Sequence, residues 1–194
     1  MPKKNAKNTK GKIITAAWDL FYEQGYDDTT VEEIIEKSGT SKGSFYHYFE
    51  GKDALLGSLS YIFDEEYERL ADTFSDKMNS FDKLLYLNNT LFSMIEERID
   101  IDLLTRLYST QLITKGEKHL LDNKRLYYKL LRKIVLEGQK NKEITDKMTA
   151  NEIVKLYAMS ERALIYDWCL CNGEYSLTAY AKTVMPVFLS VIRL

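Results

Sequence analysis

Apolar residues recur every three or four positions over most of the chain, which is the spacing of amphipathic α-helices. Residues 31–49 contain two short helical patterns that are separated by Gly39. From Lys52 the apolar spacing continues to Phe74, and this stretch is predicted to be one long helix that joins the first part of the chain to the rest. The sequence has only two prolines, the residue that interrupts helices most strongly. An all-α fold is therefore predicted.

The middle of the chain is predicted to hold three more helices. The first begins after an N-cap at Ser80, the second covers about residues 101–113, and the third covers about residues 118–141. A turn over residues 114–118, centred on Gly116, separates the last two.

Two final helices have clear start and stop signals. Thr149 and Glu152 form a capping box that opens the first of them, and Asn172 with Gly173 ends it. Ser176 is predicted to cap the last helix. Both helices are apolar on more than one face, which favours packing against a second copy in a four-helix bundle. A pair buried inside a monomer is the alternative.

Residues 30–49 carry the local signals of a helix-turn-helix. Thr30 is a suitable N-cap, and Glu33 completes a capping box with it. Gly39 tolerates the left-handed backbone at the end of the first helix, and Ser41 is placed to cap the second.

The second helix of this motif separates apolar from polar residues. Phe45 and Phe49 lie four positions apart on one face and are predicted to anchor the helix in a core. Polar groups fall on its other faces or at its start, namely Lys42, Ser44, Tyr46 and His47. Such groups contact phosphates and base edges, so the pattern is typical of a helix that binds DNA.

The residues on both sides of the motif fit a known pattern. Those before it are Ile13, Ala17, Leu20, Phe21, Gly25 and Tyr26, and those after it are Phe49, Lys52 and Leu55. With them, residues 13–56 resemble the N-terminal domain of the TetR family of transcriptional regulators. The resemblance implies a three-helix DNA-binding domain at residues 1–52 and a helical effector-binding and dimerisation domain at residues 53–194. Three positions depart from the family pattern: Ile35, Ser38 and Thr40 stand where alanine, alanine and valine are usual.

The resemblance also implies roles for individual side chains. Phosphate contacts are expected from Thr30, Ser41, Lys42, Tyr46 and Lys52. Contacts with bases or their sugars are expected from Gly43, Ser44 and His47. In a symmetric dimer, two recognition helices would meet successive major grooves, so a palindromic operator is expected. Regulators of this family commonly bind a small molecule in the helical domain, and the resemblance implies that its binding shifts the spacing of the two DNA-binding heads. The hypothesis is a repressor that leaves its operator when the effector binds, and no cofactor is expected.

Charge is distributed unevenly along the chain. The net charge is -2, and residues 1–53 contain eight lysines against nine acidic residues, so the protein is not a general nucleic-acid coat. Five lysines nevertheless precede the first acidic residue, Asp19: Lys3, Lys4, Lys7, Lys10 and Lys12. Beside a helix-turn-helix, this basic arm is expected to contact DNA, with a merely solubilising tail as the alternative. No membrane-spanning run or signal peptide is recognisable, and a cytoplasmic location is expected.

Candidate effector contacts lie in the middle and last helices. The resemblance implies a pocket among them, and the residues chosen for its wall are Tyr67, Phe92, Arg106, Tyr108, Tyr128, Glu161 and Arg162. Aromatic residues at helical spacing usually belong to a core, which is the alternative for most of them. Glu161 and Arg162 are the most informative because charges in an otherwise apolar helix need a partner, a ligand or water.

Two other function classes are alternatives to an effector-controlled repressor. A DNA-binding protein controlled by a protein partner, or acting as an activator, would have the same N-terminal motif. An enzyme is disfavoured because the sequence shows no metal-ligand cluster, no phosphate-binding glycine motif and no nucleophile near a base. Cys169 and Cys171 are interpreted as ordinary reduced thiols rather than a redox switch.

Overall fold

The computed structural model describes residues 3–75, 77–113, 115 and 118–194, with the backbone alone for residues 3–8, 60–62 and 65. The described residues form ten α-helices: α1 (Lys3–Gln24), α2 (Val31–Ser38), α3 (Lys42–Tyr48), α4 (Lys52–Leu56), α5 (Leu59–Ala71), α6 (Ser80–Arg98), α7 (Ile101–Ile113), α8 (Leu126–Lys140), α9 (Ala150–Leu170) and α10 (Leu177–Phe188). Short 3-10 segments lie at His119–Leu121 and Leu189–Ile192. No strand occurs in these ranges beyond an isolated bridge between Ile144 and Arg193, and the all-α prediction is confirmed.

The chain divides into two compact units, Met1–Ser60 and Tyr61–Leu194. The functional boundary predicted at residue 52 lies a few residues earlier and stays a prediction. The predicted turn at residues 114–118 falls largely outside the described residues, as do the side chains of Lys3, Lys4 and Lys7 in the basic arm.

In the N-terminal unit, α1 packs on α2 and α3. Ile13, Ile34 and Phe45 are completely buried there, and Phe21 and Phe49 nearly so. Burial of these large side chains, at about 1.5–3 kcal/mol each, holds the short helices in place, since a seven-residue helix such as α3 is not stable alone.

The prediction of one long helix from Lys52 is wrong, because the helix stops at Leu56 and restarts at Leu59. Gly57 has a low helix propensity, and Ser58 adds a specific cause. The Ser58 hydroxyl accepts a hydrogen bond from Trp18 Nε1 at 2.7 Å and donates one to the Leu55 carbonyl at 2.5 Å. The Leu55 carbonyl is therefore engaged by a side chain and competes less well for the backbone hydrogen bond of a continuing helix.

The second unit is built from packed helices, with α10 against α6 and α9, and α8 against α6 and α9. Two predicted starts need correction. The N-cap of α6 is Asn79, whose Oδ1 accepts from the Asp82 N–H at 2.8 Å, whereas Ser80 is the first helical residue. The helix predicted from residue 118 begins only at Leu126, after a 3-10 segment and extended backbone at Asp122.

The start and stop signals of the last two α-helices were predicted correctly. Thr149 and Glu152 form the capping box of α9, and Ser176 caps α10 by accepting from the Ala179 N–H at 3.1 Å. Asn172 and Gly173 have positive φ angles of 48° and 72° after α9 ends. Cys169 is buried and Cys171 half-buried, and both are free thiols. Within the described ranges, no helix combines the length and apolarity needed to span a bilayer.

Candidate DNA interface and effector cavity

The motif at residues 30–49 forms two helices with well-defined caps. Thr30 Oγ1 accepts from the Glu33 N–H at 3.2 Å, and the Glu33 carboxylate accepts from the Thr30 N–H at 2.7 Å. These hydrogen bonds from the Thr30 backbone and side chain lower the pKa of Glu33. Gly39 has φ of 62°, the left-handed conformation that the turn requires. Ser41 then caps α3 by accepting from the Ser44 N–H at 3.1 Å.

The polar residues of α3 are directed away from the core. Lys42, Gly43, Tyr46 and His47 are exposed, as are Thr30 and Ser41, while Ser44 is half-buried. Tyr46 is 48% exposed, although its neighbour Phe45 is completely buried. The outer face of α3 therefore carries hydrogen-bond donors and aromatic rings, while its buried face fixes the helix in the core. Lys52, the remaining predicted contact, is half-buried, so all eight predicted DNA contacts lie on accessible or half-accessible surface.

Lys42 is available for an anion. Its ammonium group lies 3.4 Å from Glu32, but both side chains are about 70% exposed, at 68% and 71%, so the ion pair is weak. The Lys42 ammonium also lies 6.0 Å from the centre of the Tyr46 ring. A phosphate could therefore replace Glu32 with little loss of stability.

Lys52 has a different environment from the other predicted phosphate ligands. Its ammonium group donates to the carbonyls of Tyr26 at 2.7 Å, Asp27 at 3.2 Å and Thr29 at 2.8 Å. It also lies 4.4 Å from the centre of the Tyr26 ring. These contacts use all three donors of the ammonium group to fix the loop before α2. Direct phosphate binding by Lys52 stays a prediction that requires one of these bonds to exchange.

The three departures from the family pattern lie at the end of α2 and in the turn. The Ser38 hydroxyl lies 2.8 Å from the Thr40 hydroxyl and donates to the Ile35 carbonyl at 3.1 Å. The two polar replacements thus satisfy each other.

The second unit contains an apolar cavity of about 50 Å³ between its helices. The residues that line it are Phe63, Tyr67, Leu91, Ile95, Tyr108, Leu120, Arg125, Tyr127, Ala158, Glu161, Arg162 and Ile165. Four of the seven predicted ligand contacts are among them: Tyr67, Tyr108, Glu161 and Arg162. Phe92 and Arg106 are not among its described lining residues, and Phe92 is completely buried in the core of α6.

Glu161 forms the centre of a buried polar cluster on the cavity wall. Its carboxyl accepts from Tyr127 Oη at 2.7 Å, Asn88 Nδ2 at 3.0 Å and Tyr67 Oη at 3.5 Å. Burial raises the pKa of Glu161, because desolvation of the charged form outweighs these hydrogen bonds and the nearby Arg162 charge. Sequence reasoning missed Asn88, although a polar residue in an apolar run was a usable signal.

A buried ion pair closes another side of the cavity. Arg125 donates to Asp64 through Nε at 3.1 Å and through Nη2 at 2.9 Å. The Tyr127 N–H also donates to Asp64, at 3.3 Å. This pair fixes the start of α8 against α5, and it explains why α8 begins later than predicted. The two residues are 61 positions apart, so no local pattern linked them.

A larger groove of about 480 Å³ adjoins this cavity. Ala158 and Arg162 line both spaces, and the groove is also lined by Leu121, Asn123, Tyr128, Arg132, Asn151, Val154 and Lys155. Tyr128, a predicted ligand contact, therefore belongs to the groove, where its hydroxyl accepts from Arg162 Nη1 at 3.2 Å. The described lining has three cationic side chains and no carboxylate, so the groove favours an anion.

Two family models cover most of the chain. Residues 13–59 match the one described as bacterial regulatory proteins of the tetR family, and residues 63–191 match the one for the C-terminal region of YsiA-like proteins.

Among curated proteins, the fatty acid metabolism regulator protein of Bacillus subtilis is 24% identical over 186 residues, or 94% of each chain. The HTH-type transcriptional regulator QacR of Staphylococcus aureus is 30% identical over 141 residues, which cover 70% of this chain and 73% of that protein.

Solved structures share the fold over nearly the whole length. Bacillus subtilis FadR in complex with stearoyl-CoA has a TM-score of 0.68 at 21% identity, covering 95% of this chain and 100% of that one. Thermus thermophilus FadR in complex with lauroyl-CoA has a TM-score of 0.73 at 18% identity, covering 95% of each chain.

Proposed function

The chain belongs to the TetR family of bacterial transcriptional regulators. From this premise we propose that it is a dimeric repressor that binds a palindromic operator. An acyl thioester of coenzyme A binds the repressor and causes it to dissociate from this operator. The observation that carries the DNA-binding part is the exposed polar face of α3 on its buried Phe45 anchor. Such a regulator acts in the cytoplasm, where its DNA is.

The proposed dimer surface consists of two exposed apolar stripes. On α9, Met159, Tyr166 and Leu170 are spaced along one helical face, and Leu170 is 64% exposed. On α10, Tyr180 and Val187 continue the pattern, with Val187 65% exposed. Apolar side chains on two adjacent packed helices are suited to self-pairing about a two-fold axis. This arrangement supports the homodimer through residues 150–194 rather than a pair buried within a monomer.

A two-fold dimer dictates the form of the operator. It presents two copies of α3 related by symmetry, and such helices bind successive major grooves about 34–36 Å apart. The target is therefore a palindrome, with Lys42 and Tyr46 contacting phosphates at the edge of each half-site.

The effector class follows from two adjoining spaces of opposite character. The apolar cavity suits the first carbon atoms of a hydrocarbon chain, and the groove with Arg132, Lys155 and Arg162 suits a head that carries phosphates. The FadR proteins that share the fold are described with stearoyl-CoA and lauroyl-CoA. A ligand with an apolar chain and an anionic head fits both spaces, and Arg162 lies where they meet.

Two experiments test the proposal. Selection of bound sequences from a random DNA pool, at stated salt concentration, should yield a palindrome for the wild type and none for Lys42→Ala/Tyr46→Ala. Titration calorimetry should show binding of an acyl-CoA and loss of affinity in Arg162→Met, whereas Arg69→Met, on the exposed side of α5, should bind as the wild type does. DNA selection without acyl-CoA binding would favour control by a protein partner instead.

A further inference from the structure

The apolar cavity contains more polar groups than a plain hydrocarbon chain requires. Glu161 lies on its wall, 4% exposed, with Tyr67, Tyr108 and Tyr127 beside it. A purely aliphatic wall would bind a saturated chain at lower desolvation cost. The polar groups therefore point to a polar group on the ligand itself.

Tyr108 has an unused hydroxyl. It lines the cavity from α7, and it forms no hydrogen bond with any other described residue. Burial raises the pKa of Tyr108, and the charged residues Arg162 and Glu161 line the same cavity. A phenolic hydroxyl in an apolar cavity gains stability from a partner, and the open side of Tyr108 is the cavity.

The charges around the cavity distinguish between a cationic and a neutral ligand group. Glu161 makes no ion pair with a described residue, and burial disfavours its charged form. Arg162 likewise has no carboxylate partner among the described residues, and it lines both the cavity and the groove. Arg125 is neutralised by Asp64. A cationic ligand would meet an unpaired guanidinium, whereas a hydroxyl group can donate to Glu161 and accept from Tyr108.

The size of the cavity limits the position of this group. A volume of about 50 Å³ holds a few water-sized groups, whereas a single water needs roughly 10–15 Å³. Glu161 and Arg162 are adjacent in α9, and Arg162 also lines the groove that suits the head. A hydroxyl that reaches Glu161 must therefore lie within a few carbon atoms of the head.

We propose that the cavity selects an effector whose acyl chain carries a hydroxyl group close to its carbonyl carbon, with Tyr108 and Glu161 as the groups that recognise it. The inference rests on the proposed acyl-thioester effector and specifies a hydroxyl substituent on its acyl chain. The ligand hydroxyl donates to a Glu161 oxygen and accepts the Tyr108 proton. A saturated chain of the same length leaves both protein groups without this partner.

Titration calorimetry with the full chain and two matched pairs of thioesters tests this selection. The pairs are butanoyl-CoA with 3-hydroxybutanoyl-CoA and dodecanoyl-CoA with 3-hydroxydodecanoyl-CoA. We expect the hydroxylated member to bind roughly tenfold more tightly, the effect of about one net hydrogen bond. Tyr108→Phe should reduce this ratio to near one without weakening the saturated member, and Glu161→Gln should lower it. Tyr86→Phe is the matched control, because the Tyr86 hydroxyl is hydrogen-bonded to Thr73 and does not line the cavity. This variant should keep the wild-type ratio of affinities.

The outcomes separate this inference from the proposed function. Equal affinity within both pairs, or an unchanged ratio in Tyr108→Phe and Glu161→Gln, overturns the inference and leaves the acyl-CoA effector standing. Binding of dodecyltrimethylammonium more tightly than any thioester overturns it in favour of a cation site. Absence of binding by all four thioesters contradicts the effector class itself, and the inference falls with it.

Discussion

Replacing Asp64 by asparagine removes the charge that pairs with Arg125 while keeping nearly the same side-chain volume. In the folded protein, the Arg125 guanidinium donates two hydrogen bonds to Asp64, at 2.9 and 3.1 Å. The two side chains are only 8% and 12% exposed, so water cannot replace the lost carboxylate. The variant removes the carboxylate that pairs with this buried guanidinium.

The size of the effect follows from this burial. Removing one member of a buried ion pair costs about 3–5 kcal/mol of unfolding free energy. For a chain of this length, each 1 kcal/mol shifts the melting temperature by about 2–4 °C, so we expect Asp64→Asn to melt roughly 6–20 °C lower. Arg125 also lines the cavity, so we expect Asp64→Asn to bind the effector more weakly than the wild type.

Urea unfolding followed by circular dichroism at 222 nm measures this change. Glu32→Gln is the matched control, because it removes an ion pair to Lys42 in which both side chains are exposed. Such a pair contributes about 0–1 kcal/mol. The combined replacement Asp64→Leu/Arg125→Met, which removes both charges, should recover most of the stability. If Asp64→Asn costs no more than Glu32→Gln, the ion pair does not fix α8 in the way described.

Three further predictions concern the dimer, the DNA contact and the response to pH. Leu170→Glu, which places a charge in the proposed interface, should give monomers in sedimentation velocity, whereas Lys182→Glu on the exposed side of α10 should not; a dimeric Leu170→Glu would exclude the interface. Lys42→Ala should weaken DNA binding and reduce the slope of log K against log salt by about one, and Lys37→Ala should leave that slope unchanged. The raised pKa of Glu161 means that the folded state holds its proton more tightly than the unfolded state, so its contribution to stability falls as pH rises above about 4.5 and is lost through the folded pKa. Urea midpoints over that range should fall less steeply in Glu161→Gln, and parallel slopes would show that Glu161 does not titrate as described.

The helix-turn-helix was predictable because its signals are local. Thr30 and Glu33 are three positions apart, and the turn at Gly39 depends on one residue's backbone freedom. The same holds for the box of Thr149 and Glu152. The exposed outer face of α3 also followed from helical spacing alone.

The interrupted helix after Lys52 was not predictable in this way. The apolar spacing continues through Gly57 and Ser58, and only Trp18, 40 residues earlier, shows why Ser58 turns the chain. A periodic pattern records which face is buried, but it does not record a side-chain hydrogen bond from another helix.

The cavity was predicted only in part for the same reason. Glu161 and Arg162 stood out as charges in an apolar helix, and the structure places both at the cavity. The cluster around Glu161 joins Asn88 and Tyr127 from two other helices, and these contacts depend on helix packing. Phe92 had the same sequence signal as Tyr108 but is directed into the core.

The most direct test of the account is whether an acyl-CoA releases the protein from its own selected DNA. Fluorescence anisotropy of the labelled palindrome, saturated with protein at fixed salt concentration, can be followed while lauroyl-CoA and its 3-hydroxy analogue are added. We expect release by both, with the hydroxylated thioester acting at roughly tenfold lower concentration. Anisotropy that stays constant while calorimetry shows thioester binding would contradict effector-controlled repression.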